Sequence, residues 1–151
     1  MNDVEFKESI IEVLDQQQEQ PERLNAHLEL ELIDCRYKGG PEINYRYRPK
    51  EAHLNPYGGV HGGIICSFFD TTIGLGAVAL SQKFVTTTDI AVSYLRPLVS
   101  ESFRINVEYT QIGNKMIRGT GKVFDEKSGV LCATCLASYM LIHTREKGLQ
   151  V

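Results

Sequence analysis

The apolar positions change period several times along the chain, and each change predicts an element. Phe6, Ile10, Val13 and Leu14 fall at i, i+4, i+7 and i+8, one face of a 3.6-residue repeat, which predicts an amphipathic helix over 3–18. Asn2 or Asp3 can cap it, Glu5 lies in its first turn, and Gln20-Pro21 stops it. It is expected to pack on the body or to contribute to an oligomer contact. Leu and Glu then alternate from residue 28, so 28–33 reads as a half-buried strand. Ile43, Tyr45 and Tyr47 alternate with Asn44, Arg46 and Arg48 as a second strand, and Lys38-Gly39-Gly40-Pro41 is the turn that makes the two a hairpin.

The second half is strand-rich. Val85 to Leu95 is β-branched and aromatic. Phe103, Ile105, Val107 and Tyr109 alternate strictly with polar residues, and Met116–Asp125 follows after a Gly113-Asn114 turn. Val130–Ile142 is apolar on both faces, so it should be central in its sheet or covered on both sides. The tail Thr144–Val151 is polar and expected to fray. With no repeat and no linker, 1–151 reads as one domain: an N-terminal helix over 1–21, a core over 28–142, and the tail. Strands joined by short turns and one long apolar helix make an α+β fold, an antiparallel sheet with the helix on its inner face.

That helix belongs to the stretch Asn55–Leu80, around which the rest is arranged. A turn rich in glycine, Gly58-Gly59-Val60-His61-Gly62-Gly63, feeds an apolar run in which Asp70 is the only charge. A lone carboxylate there is costly unless it has partners or a task. Gly74 and Gly76 each cost a helix about 1 kcal/mol against alanine. They make sense if something packs hard against the helix, such as a sheet wrapped around it. With Asp70 in its middle the run reads as a core helix rather than a membrane span.

Composition narrows the functional classes. Over 151 residues, 42% hydrophobic and 23% charged content is ordinary for a soluble protein, and a net charge of −3 argues against a nucleic-acid binder. The first residues hold no basic and apolar leader, so the expectation is a cytoplasmic protein with reduced thiols at Cys35, Cys66, Cys132 and Cys135. Cys132-Ala-Thr-Cys135 has the C-x-x-C spacing but falls in a predicted strand, where the two side chains point to opposite faces. Without a cluster of His, Cys and carboxylates no metal is expected, and without G-x-S-x-G no serine α/β-hydrolase.

The backbone N–H groups that open the long helix have no intrahelical partners and carry its positive dipole, so the N–H of Gly62 or Gly63 is placed as an oxyanion donor for a substrate carbonyl. Glycine at both positions lets a substrate approach closely. Asp70 is the candidate general base or nucleophile, yet it lies roughly 10 Å further along the axis from Gly63 at 1.5 Å per residue. Both can serve one carbonyl only if the site is shared between two copies. Phe68, Phe69 and Ile73 flank Asp70 and can line an apolar pocket. Arg96, Lys115 and Arg118 are candidate anion holders by position, with solvated surface charge as the plainer reading.

Asn55-(x5)-His61-Gly62-Gly63-(x6)-Asp70, followed by a long helix and a four-strand meander, resembles the hotdog-fold acyl-CoA thioesterases of the PaaI type over roughly residues 28–142. The resemblance implies a hotdog fold, hydrolysis of a small, aromatic or medium-chain acyl thioester, and no cofactor beyond the coenzyme A of the substrate. It also implies a homodimer, extending to a homotetramer, with two interfacial sites and neither nucleic acid nor membrane as partner. Asn55 matches the family asparagine that orients water or substrate, unless it only forms a turn. His61 would bond near the thioester or hold the turn. Thr87 matches the serine or threonine that points at the acid from the next strand, although Thr86 and Thr88 flank it and a slip of one changes the face. Two other readings are a non-catalytic acyl-CoA-binding hotdog module and a hotdog dehydratase.

Overall fold

In the computed structural model residues 1–144 are described, and the tail from 145 onward lies outside them. The chain runs α1 (Asp3–Gln18), α2 (Leu24–His27), β1 (Glu31–Arg36), β2 (Glu42–Tyr47), a 3-10 turn at Glu51–His53, α3 (Gly62–Ser81), β3 (Lys83–Tyr94), β4 (Phe103–Ile112), β5 (Met116–Asp125) and β6 (Leu131–Thr144). The strands form one antiparallel sheet in the order β1-β2-β4-β5-β6-β3. This is the α+β hotdog architecture.

α3 runs between the inner face of the sheet and α1. Phe103, Ile105 and Val107 of β4, Ile117 and Val123 of β5, and Ala133 to Tyr139 at alternate positions of β6 are buried toward it. On the other side α1 buries Phe6, Ile10, Val13 and Leu14, the face its periodicity marks. Asn2 caps α1 by accepting from the N–H groups of Val4 and Glu5, with Glu5 completing a capping box. α3 is long and apolar enough to cross a membrane, but its apolarity is matched by the sheet and helix that enclose it.

Both helix glycines answer to a tyrosine. A Cβ at Gly76 would overlap the Tyr109 hydroxyl and stand 2.6 Å from Ile43 Cδ1; one at Gly74 would meet Tyr139 Cε1 at 3.1 Å. That space admits Tyr109 and Tyr139, and with Tyr45 three hydroxyls donate to carbonyls of α3: Tyr45 to Thr72 at 3.3 Å, Tyr109 to Ile73 at 2.7 Å and Tyr139 to Asp70 at 2.9 Å. The middle of the helix is thus clamped from three strands. Gly119 and Gly121 of β5 do the converse and leave room for Ile73 and Phe69.

Two elements depart from expectation. The strand read from residue 28 begins at Glu31, because Arg46↔Glu31 is the first pairing between β1 and β2; Leu28 instead caps the short helix α2, and residues 29–30 join it to the strand without regular structure. Leu28 and Leu30 are still buried, so the alternation reported burial rather than ladder pairing. β6 lies inside the sheet as its apolarity requires, but its outward residues Leu136 and Met140 are 63% and 44% exposed in a single chain.

Candidate active site

The loop before α3 is fastened by its own polar groups. Asn55 Oδ1 accepts from the N–H of Tyr57 (2.9 Å) and of Gly59 (3.2 Å), closing a turn in which Gly58 takes a positive φ of 87°. His53, to which the sequence pattern attached no role, is buried; its Nδ1 meets the Tyr47 hydroxyl at 2.7 Å and accepts the Lys50 N–H at 3.2 Å. Burial holds its pKa below the usual imidazole value. His61 is the N-cap of α3: its Nδ1 accepts the Gly63 N–H at 2.9 Å, so a neutral ring carries its proton on Nε2. The N–H groups of Ile64 and Ile65 turn back to the His61 carbonyl.

These bonds separate the two glycines. The Gly63 N–H is occupied by His61, whereas the Gly62 N–H has no partner among the described residues and stands at the positive end of α3. The Gly62 carbonyl accepts from the Tyr94 hydroxyl at 2.7 Å, which ties this end of α3 to the end of β3. Asn55 Nδ2 also has no partner among the described residues.

Two turns further on, Asp70 is half-buried and partnered. Thr87 Oγ1 donates to Asp70 Oδ1 at 2.7 Å, and the Tyr139 hydroxyl lies 3.1 Å from the same oxygen. Oδ2 has no partner among the described residues. Thr87 pairs with Tyr139 on the inner face of the sheet, and a register shift between Thr87 and Asp89 turns Thr88 away to the Ser138 carbonyl. Burial first, and then the Asp70 charge, push the Tyr139 hydroxyl far above its usual pKa, so it serves as a donor only. Cys66 lies one turn before Asp70, and burial followed by the Asp70 charge raises its thiol, which keeps it protonated rather than nucleophilic. Burial pushes the Cys135 thiol up to about 12.

Asp70 lies in a cleft of about 900 Å³, with Thr87, Tyr139, Gly74, Leu75 and Val85 along one side and the end of α1 along the other. Phe69 and Ile73 do not line it; both are fully buried beneath β5. The structure therefore brings Asp70, Thr87 and Tyr139 together, and separately Asn55, His61, Gly62, Gly63 and Tyr94. The two groups stand roughly 12 Å apart along α3 at 1.5 Å per residue. The Arg96 guanidinium donates to the Leu131 carbonyl and the Lys115 backbone carbonyl accepts the Leu141 N–H, so these two residues lie at opposite ends of β6. Tyr139 and Tyr94 were not singled out by sequence. A tyrosine in an otherwise apolar strand face must find a partner for its hydroxyl, and that was the available signal.

A family profile described as the thioesterase superfamily matches residues 57–132. No curated protein matches the chain. Among solved structures, a thioesterase family protein from Silicibacter pomeroyi is similar at TM-score 0.76 and 20% identity, over 91% of this chain and 98% of that one. A thioesterase from Haemophilus influenzae is similar at TM-score 0.75 and 19% identity, over 91% and 94%. A hypothetical thioesterase from Streptococcus pneumoniae, solved with coenzyme A, is similar at TM-score 0.68 and 19% identity, over 77% and 88%.

Proposed function

The chain belongs to the thioesterase superfamily, and on that premise we propose that it hydrolyses acyl-CoA thioesters, in PaaI fashion, at sites that two copies of the chain build together. One observation carries the reading: the free Gly62 N–H and the free Asp70 Oδ2 stand on one helix, too far apart for one carbonyl, and each is anchored to β3. β3 is a 12-residue edge strand with no partner on its outer side among the described residues. An open edge of that length is a pairing surface. Antiparallel pairing of two β3 edges about a dyad between Ile90 and Ala91 sets Thr87 of one copy level with Tyr94 of the other. The Asp70 end of each copy then faces the Gly62 end of its mate. Arg96 of one copy comes to the same end of the joined sheet as Lys115 of the other, where both can hold the phosphates of coenzyme A. The coenzyme A bound to the Streptococcus pneumoniae neighbour supports that ligand class.

In such a site the thioester oxygen accepts from the Gly62 N–H, with Asn55 Nδ2 and the His61 ring beside it. Gly63 leaves space for the approach. Thr87 and Tyr139 hold Asp70 Oδ1, which aims Oδ2. As a base, Asp70 takes a proton from water as the water oxygen bonds to the carbonyl carbon; the C–S bond then breaks and the proton passes to the leaving thiolate. As a nucleophile, the Asp70 carboxylate bonds to the carbonyl carbon and the C–S bond breaks to release the thiolate; water then opens the acyl anhydride, which frees the acid, restores Asp70 and supplies the proton for the thiolate. No cofactor takes part. The free thiols support a reducing, cytoplasmic setting. The exposed outer face at Leu136 and Met140 supports pairing of dimers into a tetramer.

A screen of acyl-CoAs with free-thiol detection tests the activity, with Asp70→Asn as control. Turnover of at least one acyl-CoA that disappears in the folded variant is expected; a folded wild-type dimer that releases no thiol from any of them would overturn the reading.

A further inference from the structure

One wall of the cleft beside Asp70 is made by residues outside the span that the thioesterase superfamily matches. From Asp70 the cleft passes Gly74 and Leu75 to Val78, roughly 12 Å of helix at 1.5 Å per residue. Its floor is apolar, with Leu75 and Val78 of α3, Phe84 and Val85 of β3, and Val13 of α1. Its roof is polar, with Gln16, Gln17 and Gln20 at the end of α1 and Asn25 in α2. The roof is fixed in place. Asn25 Oδ1 accepts from Thr71 beside Asp70 at 3.1 Å, and Ser9 donates to the Ala79 carbonyl at 3.1 Å. At about 900 Å³ the cleft falls within the size range of ligand sites.

Resting on the thioesterase reading above, we propose that this cleft seats the acyl chain and that α1 sets the length accepted. The substrate is then a medium-length acyl group, its carbonyl at Asp70 and its methyl end against Val13 and Val78. The charges of the cleft exclude the other arm of the thioester. Asp70 and Glu19 are its anions and Arg23 its one cation, so it offers the phosphates of a nucleotide no net attraction, whereas its floor suits hydrocarbon. Each methylene laid on that floor should raise kcat/KM about two- to fourfold until the cleft is full.

The test is kcat/KM over straight-chain acyl-CoAs from butyryl to palmitoyl in the wild type, in Val78→Trp and in Gln17→Trp, alongside calorimetric binding of the matching non-hydrolysable thioethers. Expected is a maximum near octanoyl or decanoyl that moves to shorter chains when tryptophan fills the cleft from floor or roof. The octanoyl-to-butyryl ratio should fall by about tenfold or more. A maximum that stays put in both folded variants, or a loss equal at every length, would overturn the proposal. Thioethers that bind with this length profile to a protein that hydrolyses nothing would leave the cleft assigned and remove the thioesterase reading; hydrolysis indifferent to length in the wild type would do the opposite.

Discussion

The first turn of α3 and its middle, at opposite ends of the candidate site, are held in opposite ways. At the N-terminal end the polar side chains of the loop bond locally, Asn55 to Tyr57 and Gly59 and His61 to Gly63, with Tyr94 and Leu98 the long-range ties. At the Asp70 end the bonds are long-range, to Thr87 at 17 residues and to Tyr139 at 69. The first end is a loop folded on itself so that one N–H remains free. The second is a carboxylate gripped by the sheet so that one oxygen remains free. Neither end is complete, and what each lacks the other supplies.

The largest blow to this pairing of ends is Asp70→Asn, which keeps volume and hydrogen bonding but removes the base or nucleophile. A loss of at least about 10² in kcat is expected with thermal stability retained; near-native turnover in a folded variant would remove Asp70 from the chemistry. Gly62→Pro strikes the other end. Proline is tolerated at the first helical position and lacks only the N–H, and the preceding His61 already has an extended ψ of 135°. A loss of about 10² in kcat with KM little changed is expected, since a single oxyanion donor is worth that much. If kcat is kept, the free N–H is not the donor.

Tyr139→Phe sharpens the contrast by loosening the grip on Asp70 while its ring still fills the space over Gly74. One hydrogen bond to a charged group is lost, so kcat should fall about tenfold; Thr87→Val should act the same way, and no change in either would mean that Asp70 is positioned by packing alone. Arg96→Ala should raise KM for acyl-CoA a few-fold with kcat kept, and should leave an acyl-pantetheine unaffected. Equal losses on both substrates would refute the phosphate role.

His53 tests the local end through pH. Its folded pKa is lowered, so the unfolded chain binds the extra proton. The stability it contributes is therefore present above the ordinary imidazole value of about 6.5 and is lost as pH falls below it toward the folded value. The melting temperature should decline on going from about pH 7 to about pH 5, and His53→Asn should flatten that decline. An unchanged slope in the variant would show that other groups cause it.

The same contrast explains how far the sequence could be read. α1, its Asn2 cap and the His61-Gly62-Gly63 turn are decided by neighbours within a few residues, and they were legible. Gly76 announced a close contact but not that Tyr109 makes it. The direction of Phe69 and Ile73 was not legible, because helix neighbours diverge by about 100° per residue and only the sheet decides which of them is enclosed. Gly119 and Gly121, two residues apart on one strand face, are the trace of that choice in the sequence. Tyr139 reaches Asp70 only through the register of β6 against β3, which no local pattern encodes.

The claim that two copies share each site is tested most directly by mixing. Asp70→Asn and Gly62→Pro chains are unfolded together and refolded at equal amounts. In a shared site, a mixed dimer places both lesions in one site and leaves the other intact. Random pairing makes half of the dimers mixed, so activity should return to about a quarter of the wild-type value. A mixture that forms mixed dimers, seen by native mass spectrometry, yet stays at the sum of the two separate variants would contradict the shared site.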